Sequence, residues 1–135
     1  MSEAELQRQG PTALLAVAAN LQADPDARLE AASAMQAYFD TPLPTPAAQQ
    51  LLDMASAQTD ALHQQDALDL VQGRMRAELV PAVSAFLRSP DAATREMAIQ
   101  RLSELPQDSQ ARAALAQAAE QDSSDVLRYL AARRR

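Results

Sequence analysis

Apolar positions in this chain come in short blocks at helical spacing, and proline, glycine or small acidic clusters separate the blocks. Leu14, Leu15, Ala18 and Leu21 share one face of a helix that Pro11 and Thr12 open. Asp24-Pro25-Asp26 reads as a turn followed by an acidic helix start. The helix it opens carries Ala27, Ala31, Met35 and Tyr38 along one stripe. Consecutive X-Pro steps through Thr41–Pro46 exclude helix, because each proline ring crowds the residue before it out of the α region. Pro46 itself suits a first helical turn, where its missing N–H has no partner to lose.

The same punctuation continues to the end. Residues 47–58 read as a helix, Thr59 or Asp60 caps the helix of 61–72, and Gly73 can terminate it. Residues 76–88 follow, with Pro81 in or near the first turns. Ser89-Pro90-Asp91 opens the segment to Leu105, Asp108 or Ser109 opens 110–121, and Asp122-Ser123-Ser124 opens 125–135. The result is eight short helices joined by short turns, in four pairs. A polar segment, residues 1–10, precedes a single helical domain over 11–135.

Composition narrows the picture to an all-α fold. Hydrophobic residues are 47 % and aromatics 3 %, so the core must be built from Ala, Leu, Val and Met. Two glycines leave little for hairpin turns, and the abundant Ala, Leu, Gln, Glu and Arg favour helix. The net charge of −6 repels phosphate backbones, which argues against nucleic acid as a partner. All twelve basic residues are arginine, as a GC-rich bacterial coding bias would produce. With no cysteine, disulfides, thiolate catalysis and Cys-ligated metals are excluded. The first ten residues are polar and acidic, and the longest apolar run, Ala13–Ala19, is too short for a membrane span. The expectation is a cytoplasmic protein.

The second helices of the pairs superpose. With Arg95 set under Arg28, Ala98 falls under Ala31 and Leu102 under Met35. Arg128 and Ala131 fit the same template, as do Gln64, Ala67 and Val71 with glutamine in the arginine position. These slots stand 36, 31 and 33 residues apart, the period of a repeat stack. The segment Leu79–Leu105, with proline in its first helix, an S-P-D turn and an apolar-Arg start to its second, resembles a short bacterial HEAT repeat. Residues 23–35 and 120–134 resemble the same second half.

That resemblance implies an α-solenoid of about four antiparallel helix pairs in a superhelical stack. It also implies a ladder role for the slot residues Arg28, Gln64, Arg95 and Arg128, with Asp24, Asp91 and Asp125 as acceptors near the arginines. Gln64 carries no charge, so its junction should be the weaker one. In the family the second helices line a concave side. The outward positions expected to meet a partner are Leu29, Ser33 and Gln36, then Gln65, Asp69 and Gln72, then Glu96, Gln100 and Ser103, and finally Tyr129 and Arg133. Leu29 and Tyr129 would be apolar anchors.

No catalytic constellation is present, nor a cofactor or metal motif. His63, the sole histidine, should point partly inward, with Asp66 as a possible partner. Asp66 and Asp69 read as solvated charges on a helix face. The three terminal arginines complement a helix C-terminus and make a polar end cap. The leading function is therefore a non-enzymatic adaptor, scaffold or inhibitor that binds another protein, with no small-molecule substrate and no membrane. The alternatives are a nucleic-acid-binding HEAT-like protein and an accessory subunit of a cofactor-attaching, lyase-like complex.

Overall fold

The computed structural model describes residues 2–134, and all regular structure among them is helical. The elements are α1 (Glu3–Ala18), α2 (Pro25–Phe39), α3 (Thr45–Ser56), α4 (Ala61–Leu70), α5 (Val80–Ser84), α6 (Ala92–Leu102), α7 (Ser109–Gln121) and α8 (Asp125–Arg134). A 3-10 turn at Ala77–Leu79 leads into α5 and another at Ala85–Arg88 follows it, so helical winding is continuous across Pro81.

Aspartate opens several of these helices. Carboxylates of Asp60, Asp91 and Asp108 accept from Leu62 N (2.9 Å), Thr94 N (2.9 Å) and Ala111 N (2.8 Å), and Ser124 Oγ accepts from Leu127 N (3.3 Å). Each such cap contributes about 1 kcal/mol. Gly73 follows α4 at φ 72, a left-handed geometry that glycine takes without strain. Asp40 ends α2 at φ 47, which short polar side chains tolerate.

The first helix differs from the sequence reading. It starts at Glu3 and runs through Pro11, so residues 3–10 are its first turns and not a separate segment. Ser2-x-x-Glu5 has the form of a capping box, and Ser2 Oγ accepts from Glu5 N at 3.1 Å. Proline is tolerated inside because Gly10 precedes it, leaving no Cβ for the ring to strike.

Packing follows two layers. Helices α1 and α2, α3 and α4, α5 and α6, and α7 and α8 form hairpins. The second helices stack in order α2, α4, α6, α8, while α3, α5 and α7 form the other layer. Helix α1 packs chiefly on α2, and among its described side chains only Ala18 joins the buried core.

The alanine three positions after each slot lies in the core in all four pairs: Ala31, Ala67, Ala98 and Ala131. Its small size lets successive second helices approach closely. Met35, Val71 and Leu102, seven after the slot, are buried as well. The stripe assigned to α2 is otherwise out of phase. Ala27 is exposed and Tyr38 is 80 % exposed, because the buried face runs through Arg28, Leu29, Ala31, Ala32 and Met35. Leu21 is also exposed, since α1 has ended at Ala18.

Candidate functional site

The slot residues act through the turns. Gln64 Nε2 donates to the Gln58 carbonyl (2.8 Å), Arg95 Nη1 to the Ser89 carbonyl (2.9 Å) and Arg128 Nη1 to the Asp122 carbonyl (2.7 Å). The offset of six residues is the same each time. Arg28 Nε reaches the Ala18 carbonyl (2.9 Å), across the longer first turn. Each bond satisfies a carbonyl left open at or near the end of the first helix of its pair.

A second arm joins neighbouring pairs. Ser89 Oγ donates to Gln64 Oε1 at 3.0 Å. Arg95 Nε and Nη2 donate to the Asp122 carboxylate at 3.0 and 3.4 Å, and that carboxylate is only 2 % exposed. Ser89 and Asp122 occupy equivalent places in successive turns, so pairs two, three and four are tied by one continuous ladder.

The acceptors are not all the expected ones. Asp125 does pair with Arg128. Asp24 and Asp91 instead accept backbone N–H groups as helix caps, Asp24 from Asp26 N and Asp91 from Thr94 N. The Gln64 junction, expected to be weak, has both arms formed. The incomplete junction is the first: Arg28 is 4 % exposed, its Nη1 meets Met54 Sδ at 3.2 Å, and its Nη2 is buried without a partner.

His63 bridges the first two pairs. Its Nε2 lies 2.5 Å from Asp26 Oδ1 on α2, and its Nδ1 lies 2.7 Å from Gln58 Oε1. Two acceptors facing two ring nitrogens suit the doubly protonated imidazolium. Hydrogen bonding to Asp26 raises its pKa above 6.5; burial opposes this, and the charges of Asp60, Asp26 and Asp66 add to it. The partner is thus Asp26, and Asp66 acts on it only at longer range. Among the described residues no trio of His, Cys, Asp and Glu is placed to hold a metal ion. Among the described residues no helix is long and apolar enough to cross a membrane.

The outward positions divide. Ser33, Asp69, Gln72, Gln100, Tyr129 and Arg133 are exposed, with Arg133 stacked 5.8 Å over the Tyr129 ring. Gln36, Gln65, Glu96 and Ser103 are half-buried, and three of them serve the fold: Gln36 Nε2 donates to the Leu70 carbonyl (3.1 Å), Gln65 Nε2 to Asp91 Oδ2 (3.1 Å) and Ser103 Oγ to the Ile99 carbonyl (2.6 Å). Leu29 is 4 % exposed and belongs to the core, so it is not an exposed anchor. Of the three terminal arginines expected to form a polar end cap, Arg133 is exposed, and the side chains of the other two lie outside the described residues.

A groove of about 950 Å³ opens between α2 and α4. It brings Ser33, Gln36, Asp69 and Gln72 together, while the outward residues of α6 and α8 lie elsewhere. Its walls also carry Asp26, Glu30 and Asp66, which the sequence reading did not group, and Tyr38 and Arg74 border it. The available signal was spacing: Asp26 and Glu30 are four apart, Asp66 and Asp69 three apart, so each pair projects from one helix face.

The family model for HEAT repeats matches residues 48–134. The chain belongs to the HEAT-repeat family. The match begins within α3, and the hairpin of α1 and α2 ahead of it keeps the arginine slot and the buried alanine. No curated protein and no solved structure matches the chain. Repeats of this family generally mediate protein–protein interaction.

Proposed function

We propose that this HEAT-repeat chain is a non-enzymatic, cytoplasmic adaptor, scaffold or inhibitor that holds a partner protein on the face formed by α2, α4, α6 and α8. The observation that carries this reading is the groove between α2 and α4. Ser33, Asp69 and Gln72 border it and are exposed, so they remain available to a partner. The family association with protein binding supports the same reading, at the level of fold. A nucleic-acid partner would call for a cationic stripe, whereas this groove is walled by Asp26, Glu30, Asp66 and Asp69.

The test is capture of the partner with a tagged chain from its own host, followed by mapping. Ser33→Arg and Gln100→Arg, on the second helices, should weaken the complex. Glu120→Arg, on the exposed side of α7, should leave it intact. The opposite pattern sinks the reading.

A further inference from the structure

Each second helix turns one face toward the pair that follows it. Two residues before the slot, Asp26 reaches His63 of the second pair. One residue after the slot, Gln65 Nε2 donates to Asp91 of the third pair, and Leu29 is buried. Four residues after it, Ala32, Leu68 and Ile99 are buried. The slots of pairs two and three also carry an arm across the junction, Gln64 meeting Ser89 and Arg95 meeting Asp122.

In α8, the last of the described helices, the same positions hold Val126, Tyr129 and Ala132. Val126 and Tyr129 are 65 % and 63 % exposed, and Ala132 is exposed as well. Arg128 keeps the bond within its pair to the Asp122 carbonyl, but its other arm turns back onto Asp125 of its own helix. Helix α8 therefore presents to solvent the face that the inner junctions of the stack cover.

The chemistry of this face reads alike from either end. Asp125 and Arg133 stand four residues to either side of Tyr129, and Val126 and Ala132 stand three. At about 100° per residue, all five fall within about 120° of arc. Two α8 helices laid antiparallel and crossing at Tyr129 set Asp125 of each beside Arg133 of the other, and Val126 beside Ala132. Opposed helix dipoles favour the same orientation. The Asp125 side chain is 90 % exposed, so its carboxylate can accept from a second guanidinium while Arg128 holds it. Arg133 lies 5.8 Å from the centre of the Tyr129 ring, which puts it on this face.

We infer that a second copy of this chain covers α8, in a two-fold dimer whose α8 helices pack antiparallel about Tyr129. A two-fold contact requires a self-complementary patch, and the exchange of Asp125 with Arg133 supplies one. Docking of another copy's first pair would instead be head-to-tail and would not close. Two ten-residue helices make a small interface, so the dimer should be weak, with a Kd of roughly 10–100 µM. The net charge of −6 opposes association, and about 0.15 M salt screens the charges distant from the contact. This end of the stack is separate from the α2–α4 groove, so the inference does not depend on a partner there.

Sedimentation equilibrium of the full chain from about 1 to 500 µM should show one chain passing to two and no further. Asp125→Arg and Arg133→Asp each turn both ion pairs into like-charge contacts. Each alone should weaken association roughly tenfold or more. Mixed in equal amounts, the two variants regain both attractions between unlike copies and should associate about as tightly as the parent. Mixing repairs a contact between copies but not damage within α8. Tyr129→Arg, at an exposed site, sets two cations at the axis and should abolish the dimer with melting unchanged. A parent that stays monomeric or grows beyond two overturns the inference. So does a charge variant as tight as the parent, a mixture no tighter than its components, or a Tyr129→Arg variant that still dimerises.

Discussion

Gln64 Oε1 accepts the hydroxyl proton of Ser89 across the junction between the second and third pairs. One junction later, Arg95 and Asp122 hold the equivalent places as a buried ion pair. The two rungs are chemically matched sets: amide with hydroxyl, guanidinium with carboxylate. Gln64→Arg alone should therefore bury a cation against a hydroxyl and destabilise the fold by about 1–3 kcal/mol. Ser89→Asp alone should cost a similar amount by setting a carboxylate against Gln64 Oε1. The double variant should recover most of the loss, and a double-mutant cycle in urea measures that coupling. Additive losses would mean the rungs are not interchangeable.

Arg95→Met should cost about 3 kcal/mol, because it strands a nearly buried Asp122 carboxylate as well as removing bonds to the third turn. Adding Asp122→Asn should return part of the loss. Chemical denaturation of both variants gives the comparison.

The chain's sole histidine makes one pH prediction clean. The pKa of His63 is raised in the folded state, so folding binds a proton. Its contribution is fully present below the unfolded value near 6.5 and is lost as pH rises through the folded value above it. The Asp26 side chain is 72 % exposed, so the effect should stay below about 1 kcal/mol. Melting between pH 5.5 and 8.5 should show this decline, and Asp26→Asn should flatten it. Asp91 contributes in the opposite sense. Hydrogen bonds from the Thr94 backbone, then its hydroxyl, hold the Asp91 pKa below 3.8, so that stabilisation is present above 3.8 and fades as pH falls through the lowered value.

Gly10 sits beneath the ring of Phe39, close enough that any Cβ there forces the ring aside. Gly10→Ala raises helix propensity by about 1 kcal/mol, so steric and local effects oppose each other. Removing the ring in a Phe39→Ala background should make Gly10→Ala more favourable than in the parent, though short of the full gain because the Pro11 ring still crowds the new Cβ. Thermal melts of the two singles and the double test this, and an identical gain in both backgrounds would contradict the contact.

What the sequence reveals here depends on the range of the interaction. Slot positions and the alanine three residues later are read directly, because helical period and turn spacing are local. The start of α1 was equally local: Ser2-x-x-Glu5 signals it, but the conflicting signal at Pro11 dominates unless Gly10 is considered. Leu29 is buried and Tyr38 exposed, the reverse of what the apolar pattern predicts, because a narrow stripe shifts by one residue without altering its composition. The His63–Asp26 contact spans 37 residues and the Arg95–Asp122 pair 27, and no local pattern distinguishes Asp122 from the capping Asp91. The groove depends on how α2 lies against α4, so its four carboxylates become one surface only after folding.

Arg28 meets a thioether where Arg95 meets a carboxylate, and this makes the stack mechanically uneven. Pairs two to four are riveted through their interior. Pair one is fastened to them by Arg28 on the Met54 thioether, by Gln36 on the Leu70 carbonyl and by the His63–Asp26 pair at the surface. The apolar packing of α2 adds to these, so its seam is held by packing and surface contacts instead of a buried rung. The groove lies along that seam, the one without a charged or amide rung in its interior.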